Sequence, residues 1–172
     1  MLALLLGVLI CPAQDISGRV VKITDGDTLT IAVVKHSLTT GPTGKESLTV
    51  QVKVRLEGID APESKQPFGS KSKDFLGSFC FGKDAQVNTT GKDRYGRTLG
   101  EVFVDGKSAN KALLSAGLAW HYKEYSKDQE LSRLEREARL AGVGLWSQAN
   151  PIPPWDWRKT ERQRRLNKRY AR

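Results

Sequence analysis

Residues 55–63, Arg55-Leu56-Glu57-Gly58-Ile59-Asp60-Ala61-Pro62-Glu63, decide how the rest of the chain is read. They close a stretch in which Leu48, Val50, Val52, Val54 and Leu56 are apolar, while Thr49, Gln51, Lys53 and Arg55 between them are polar. A period of two predicts a half-buried strand with one face on a core. Arg55 then stands on the open face, where the chain leaves the sheet. Gly58 permits a bend, and Pro62 keeps Ala61 extended and out of a helix. Asp60 and Glu63 are thereby presented from a stiff loop. Such a loop suits catalytic or ligand groups, and suits an ordinary charged surface equally well.

On the N-terminal side, Arg19–Ile23 and Thr28–Val34 read as two strands of a hairpin, turned by Asp25-Gly26-Asp27. Residues 36–46, rich in Thr, Gly and Pro, read as a loop before the strand at 48–57. Lys65–Phe79 reads as a helix with Phe75, Leu76 and Phe79 on one face, ended by Gly82. Asp84–Asn88 and Leu99–Val104 supply a fourth and a fifth strand. Ser108 is a candidate N-cap for a helix to Ala116, with Ala109, Ala112, Leu113 and Ala116 inward and Gly117 as its stop. Ser126 and Gln129 form a capping-box pattern opening a last helix, with Leu131, Leu134, Ala138, Ala141 and Leu145 as core. This order predicts an α+β fold: a five-stranded antiparallel barrel of OB-fold type with about three helices packed on it.

The charge is unevenly placed. The chain carries +9, yet residues 158–172 hold eight Lys/Arg and one Glu, which leaves +2 for everything before them. A neutral body with a basic tail points to a polyanionic partner, nucleic acid or an anionic membrane surface. At the other end, Leu2–Ile10 is an uncharged apolar run too short to span a bilayer, followed by Cys11-Pro12-Ala13. Residues 1–13 read as a signal peptide for a secreted or periplasmic protein, atypical or truncated because a basic n-region is missing. Removal of that segment leaves Cys80 as the lone cysteine, with no internal disulfide. His36 and His121 are isolated and read as surface or loop residues, so no zinc cluster is expected.

Asp25 and Asp27 flank a glycine, which by itself is turn chemistry. Joined by Asp60, they would be three carboxylates converging on one point, which needs a cation to offset their repulsion. An all-oxygen set suits a hard ion, calcium first and magnesium second. In Asp93-Arg94-Tyr95-Gly96-Arg97, a turn would aim a guanidinium at a phosphate and set a tyrosine beside it for a base. Phosphodiester hydrolysis gathers negative charge on the phosphate oxygens. It calls for cations against that charge and a carboxylate to deprotonate or position water.

The segments Ile23-Thr24-Asp25-Gly26-Asp27-Thr28, Val54–Glu63, Asp93–Arg97, Asp105-Gly106-Lys107 and Ala112–Ala119 occur in this order. The ordered set resembles the staphylococcal nuclease (thermonuclease) family over roughly residues 18–147. The resemblance implies an OB-fold barrel and calcium-dependent hydrolysis of DNA and RNA that leaves a 3′-phosphate and a 5′-hydroxyl. It implies Asp27, Asp60 and the carbonyl of Ala61 as Ca2+ ligands, with alanine where the family often has threonine. Asp25 would shape the site through water, Glu63 would act on the attacking water, and Arg55 and Arg97 would bind the phosphate. Tyr95 would lie along the nucleotide, with Tyr122 or Tyr125 as a second aromatic contact. The family's substrate-side lysine cannot be matched in the long loop at 36–46.

Residues 14–147 are thus read as the nuclease domain and 148–172 as a connector and basic arm. Pro151-Ile152-Pro153-Pro154 is stiff, Trp155 and Trp157 are expected to dock on the body, and the arm from Arg158 is expected to lie apart from a site contained in residues 25–97. The protein is expected to act as a monomer on DNA and RNA. Two other classes compete. A non-catalytic nucleic-acid-binding barrel would not need Asp27, Arg55, Asp60, Glu63 and Arg97 together. A membrane- or partner-binding protein would explain the tail but not the acidic cluster.

Overall fold

The computed structural model describes residues 15–37 and 46–170. The expected signal segment and most of the loop at 36–46 lie outside them. The chain runs β1 (Ile16–Asp25), β2 (Thr28–Ser37), β3 (Glu46–Leu56), β4 (Ile59–Asp60), α1 (Gly69–Cys80), β5 (Asp84–Lys92) and β6 (Thr98–Val104). It continues β7 (Lys107–Ser108), α2 (Ala109–Ser115), β8 (Trp120–His121), α3 (Gln129–Leu140), a 3-10 turn (Gly144–Ser147) and α4 (Pro154–Tyr170). The main sheet is ordered β3-β2-β1-β5-β6-β7, and β3 also pairs in parallel with β6, Val54 against Thr98 and Leu56 against Gly100. That pairing joins the two ends of the sheet and closes the five-stranded barrel. The expected α+β barrel is therefore present, with four helices among the described residues.

Alternation along each strand sends Val20, Leu29, Ile31, Val54, Leu56, Val87 and Val102 inward, where all are buried. Closure explains why β3 is fully buried only at its end, with Val50 and Val52 half-buried on the same face. β3 meets β6 only at residues 54–56, and before that its sole partner is β2. Leu48, expected in the core, is consequently 64% exposed. Arg55 departs from expectation the other way: its side chain is 14% exposed, folded under the loop after β3.

Several local readings change. Helix α1 starts at Gly69, not Lys65, because Phe68 takes a left-handed conformation and Gln66–Gly69 forms a turn. Asp128, not Ser126, caps α3: its carboxylate accepts from the N–H groups of Glu130 and Leu131, and Ser126 Oγ accepts from Asp128 N–H. That helix ends at Leu140, so Ala141 is exposed instead of core. Ser108 caps α2 as expected, accepting from Lys111 N–H.

His121 is not a surface residue. Pairing of β8 with β4 carries it beneath α3, where it is 2% exposed and its Nδ1 lies 3.0 Å from Ser132 Oγ. Burial lowers its pKa, although the charge of nearby Glu135 acts in the opposite sense.

The segment expected as a connector and arm is instead ordered into α4. Trp155 stacks on Tyr122 with centroids 5.2 Å apart and planes 4° from parallel, and meets Trp120 edge-on at 5.7 Å. Trp146 joins the same cluster at 4.4 Å from Trp120. Gln66 Nε2 donates to the carbonyl of Ile152 at 2.6 Å, so the chain leading into α4 is tied to the loop that carries Glu63. The tryptophans dock as expected, and they direct the next residue, Arg158, toward β4.

Candidate active site

Two chain reversals build the site. The β1–β2 turn presents Asp25 and Asp27, with Asp27 N–H donating to Asp25 Oδ1 at 3.2 Å. The segment after β3 presents Asp60, Ala61 and Glu63. The two halves are bound together, since Asp27 Oδ2 accepts from Ala61 N–H at 2.9 Å and Leu56 N–H donates to the carbonyl of Asp27 at 2.9 Å. Gly26 is needed for that approach, because a Cβ there would stand 2.8 Å from Ala61 Cβ and 2.6 Å from Ser72 Cβ. Gly69 does the same for Glu63: a Cβ would meet the Glu63 carbonyl oxygen at 2.0 Å.

Arg55 lies between the two halves. One guanidinium nitrogen pairs with Asp27 Oδ1 and the other with Asp60 Oδ1 at 2.9 Å, also donating to the Ile59 carbonyl at 3.3 Å. Burial pushes the Asp27 carboxyl up, but the charge of Arg55 and the Ala61 N–H outweigh it and hold the carboxyl below its usual range. Asp25 lacks such a cation, and burial together with the charge of Asp27 raises it to about 6. Asp60, with a 1% exposed side chain, is raised by burial and by Asp27 despite the guanidiniums on it. Three of the site's carboxylates, Asp27, Asp60 and Glu63, thus pair with two arginines.

The second arginine is Arg158 of α4. Its Nη2 donates to Asp60 Oδ2 at 2.7 Å, and its Nη1 donates to Asp60 Oδ1 at 3.2 Å and to Glu63 Oε1 at 2.8 Å. One guanidinium from the end of the chain therefore bridges the carboxylate expected to bind metal and the one expected to act on water. This corrects the expectation that the site is confined to residues 25–97. Arg158 lies 98 and 95 positions along the chain from these partners, so no local pattern announced it. The sequence clue was the pair Trp155 and Trp157, whose docking fixes the next turn of chain against the body.

Asp25, Asp27, Arg55, Asp60, Ala61 and Glu63 are brought together. Arg97 is adjacent by register, since it precedes Thr98 beside Val54, but no hydrogen bond or ion pair joins it to them among the described residues. Its Nε donates instead to Asp93 Oδ2 at 2.6 Å. Arg94 and Arg97 lie against the ring of Tyr95, which is 68% exposed. Burial and the charge of Asp60 both raise the pKa of Tyr122, which borders the site. Tyr125 touches Tyr122 edge-on at 4.7 Å and is 69% exposed.

The protein donors in reach of a metal are hard oxygens. Among the described residues, however, no three His, Cys, Asp or Glu side chains gather around one point as a ready-made metal cage. Asp27 and Asp60 are held by Arg55, and Asp60 and Glu63 by Arg158.

A barrel closed around paired aspartates and a buried arginine, with an exposed carboxylate beside them, defines a class of phosphate-handling hydrolase site. The chain matches the family model "Staphylococcal nuclease homologue" over residues 53–148. It is 42% identical over 145 residues to an "Uncharacterized endonuclease" of Escherichia coli O157:H7, covering 84% of this chain and 86% of that one. It is 45% identical over 118 residues to "Staphylococcal-like nuclease CAN1" of Arabidopsis thaliana and 42% identical over 127 residues to a 38.1 kDa protein of Capnoides sempervirens. The chain spans 36% and 38% of the length of these two plant proteins. The protein belongs to the staphylococcal nuclease family and is a nuclease of that family.

Proposed function

We propose that the protein is a calcium-dependent phosphodiesterase that cleaves DNA and RNA within the strand, leaving 3′-phosphate and 5′-hydroxyl ends. The observation that carries this reading is the Asp27–Arg55–Asp60 cluster, with the Glu63 carboxylate open to solvent on its rim: the Glu63 side chain is 42% exposed and that of Asp60 1%. Asp27, Asp60 and the Ala61 carbonyl would hold the cation. Hard oxygen donors that repel one another fit Ca2+ in chemistry, and Arg158 is the competitor it must displace from Asp60. A bound Ca2+ supplies positive charge against the phosphate oxygens.

The chain's own groups do the rest. Arg55 is oriented by its two aspartates before substrate arrives, so it contributes preorganised charge. Burial lowers its affinity for the proton, but Asp27 and Asp60 outweigh that and keep it charged. Glu63 accepts a proton from water as the water oxygen bonds to phosphorus. The bond from phosphorus to the 5′ oxygen breaks, and that oxygen leaves with a proton drawn from solvent. Arg97 binds a phosphate oxygen after exchanging Asp93, and Tyr95 with Tyr122 or Tyr125 supports the nucleotide. Asp25 shapes the cation's surroundings through water. The apolar run at residues 2–10 supports export as the setting, and a monomer suffices for this chemistry.

The test is hydrolysis of single-stranded DNA with Ca2+ and with excess chelator, and then analysis of product ends. Cleavage with Ca2+, none with chelator, and 3′-phosphate termini are expected. Full activity in chelator overturns the metal assignment, and 5′-phosphate termini overturn the bond assignment.

A further inference from the structure

The innermost arginine of α4 touches the catalytic carboxylates, and three more arginines continue from it along the same helix face. Arg158, Arg162, Arg165 and Arg169 are spaced four, three and four apart. At 3.6 residues per turn, these four stay within about 60° of one line along the helix. The line runs for about 16 Å at 1.5 Å per residue.

Two of the other three cations of α4 are neutralised locally, Lys159 by Asp156 at 3.1 Å and Arg164 by Glu161 at 2.8 Å, and the third, Lys168, is exposed and stands about 90° off the row. Arg162, Arg165 and Arg169 are exposed and have no ion-pair partner among the described residues. The row's direction is set by the site end, where buried Pro154, the stacked Trp155 and the Arg158 contacts to Asp60 and Glu63 hold the first turns.

We propose that α4 is a strand-binding extension of the active site, on which this arginine row tracks the phosphates of one nucleic-acid strand leading out of the cleft. It rests on the nuclease reading of the site and adds where the strand runs. A single file of guanidiniums matches one backbone. A stacked strand places a phosphate about every 3.4 Å, so the row spans about five of them. Planar, forked guanidiniums suit phosphate oxygens, and the repulsion within a row of unpaired like charge on a helix is relieved by a bound polyanion. Arg158 exchanges the carboxylates for the innermost phosphate when substrate and cation arrive. The exposed ring of Tyr125, edge-on to Tyr122 and so next to the Trp155 that Tyr122 stacks on, stands near the inner end as a stacking surface for a base.

The experiment is a binding titration of the full chain with a cleavage-resistant phosphorothioate strand of ten nucleotides at several salt concentrations. Arg162→Gln/Arg165→Gln is compared with Lys83→Gln/Lys107→Gln, which removes equal charge. Those lysines lie at the barrel end away from the site, beyond the Val104 end of β6. Each lost contact to a single strand reduces the slope of log K against log salt by about 0.7, so the arginine double should flatten it by about 1.4 and the lysine double by much less. Equal flattening by both would mean a diffuse field of charge, and an unchanged slope in the arginine double would mean a solvated helix; either overturns the row. A duplex of the same sequence that binds as tightly and loses as much slope overturns the single-strand assignment. Failure of the wild type to bind any strand would instead overturn the nuclease reading itself.

Discussion

Replacing Arg158 with glutamine should make the protein bind Ca2+ more tightly. The guanidinium makes three hydrogen bonds, at 2.7, 2.8 and 3.2 Å, to Asp60 and Glu63. Asp60 cannot serve Arg158 and a cation on the same oxygens, and a cation that did bind would sit beside a like charge. Two unit charges 4 Å apart repel by about 4 kcal/mol at an effective dielectric constant of 20. Much of that is escapable, because the Arg158 side chain is 39% exposed and can swing into water. Discounted to the scale of a solvent-screened pair, the penalty is about 1 kcal/mol, or about fivefold in affinity. Glutamine keeps a hydrogen-bonding group without the charge. The assay is isothermal titration calorimetry of metal-stripped protein with Ca2+ at fixed ionic strength, with Asp60→Asn as the variant that loses binding. Equal or weaker binding by Arg158→Gln would refute the competition.

Packing and burial lead to two more expected outcomes. Gly69→Ala should lower stability by about 1–3 kcal/mol and reduce kcat, because the new methyl meets the Glu63 carbonyl at 2.0 Å and the backbone carrying that carboxylate must move; thermal unfolding and single-turnover rates measure both. Burial lowers the pKa of His121, with Lys123 acting in the same sense and Glu135 and Asp128 against it, and its Nδ1 lies against Ser132 Oγ. The unfolded chain takes up the proton first as pH falls below about 6.5, so the stability present above that pH should be lost toward acid by at most about 1.4 kcal/mol per pH unit. Urea unfolding from pH 8 to 5 should show a shallower fall for His121→Gln, and parallel curves would contradict this.

The barrel was legible because its evidence is local. Alternation over residues 48–56, Asp25-Gly26-Asp27 and Gly58 each set a strand or turn within a few residues, and the pairing of Thr28 on β2 with Arg55 on β3 then brought Asp27 and Asp60 to one arginine. Sequence could not show where alternation stops meaning burial: Leu48 has the right period but lies beyond the reach of β6. His121 was misread because its partners, Ser132 and Glu135, come from a helix that packs over it later in the chain. The tail was misread for a related reason. Charge density at 158–172 suggests a basic arm lying apart from the site, whereas Trp155 and Pro154 anchor it as a helix and turn its first arginine into the site.

Arg55 and Glu63 are assigned to the transition state of phosphodiester hydrolysis, and the decisive measurement is the steady-state kinetics of Arg55→Lys and Glu63→Gln on single-stranded DNA with Ca2+. Loss of a preorganised charge or of the group that acts on water should lower kcat by about 10²-fold or more. KM should change far less, since the ground-state strand is held elsewhere as well. Lysine is a real loss at Arg55, because an ammonium cannot pair with two aspartates and still present a planar fork to phosphate. A kcat near that of the wild type for either variant would contradict its assignment.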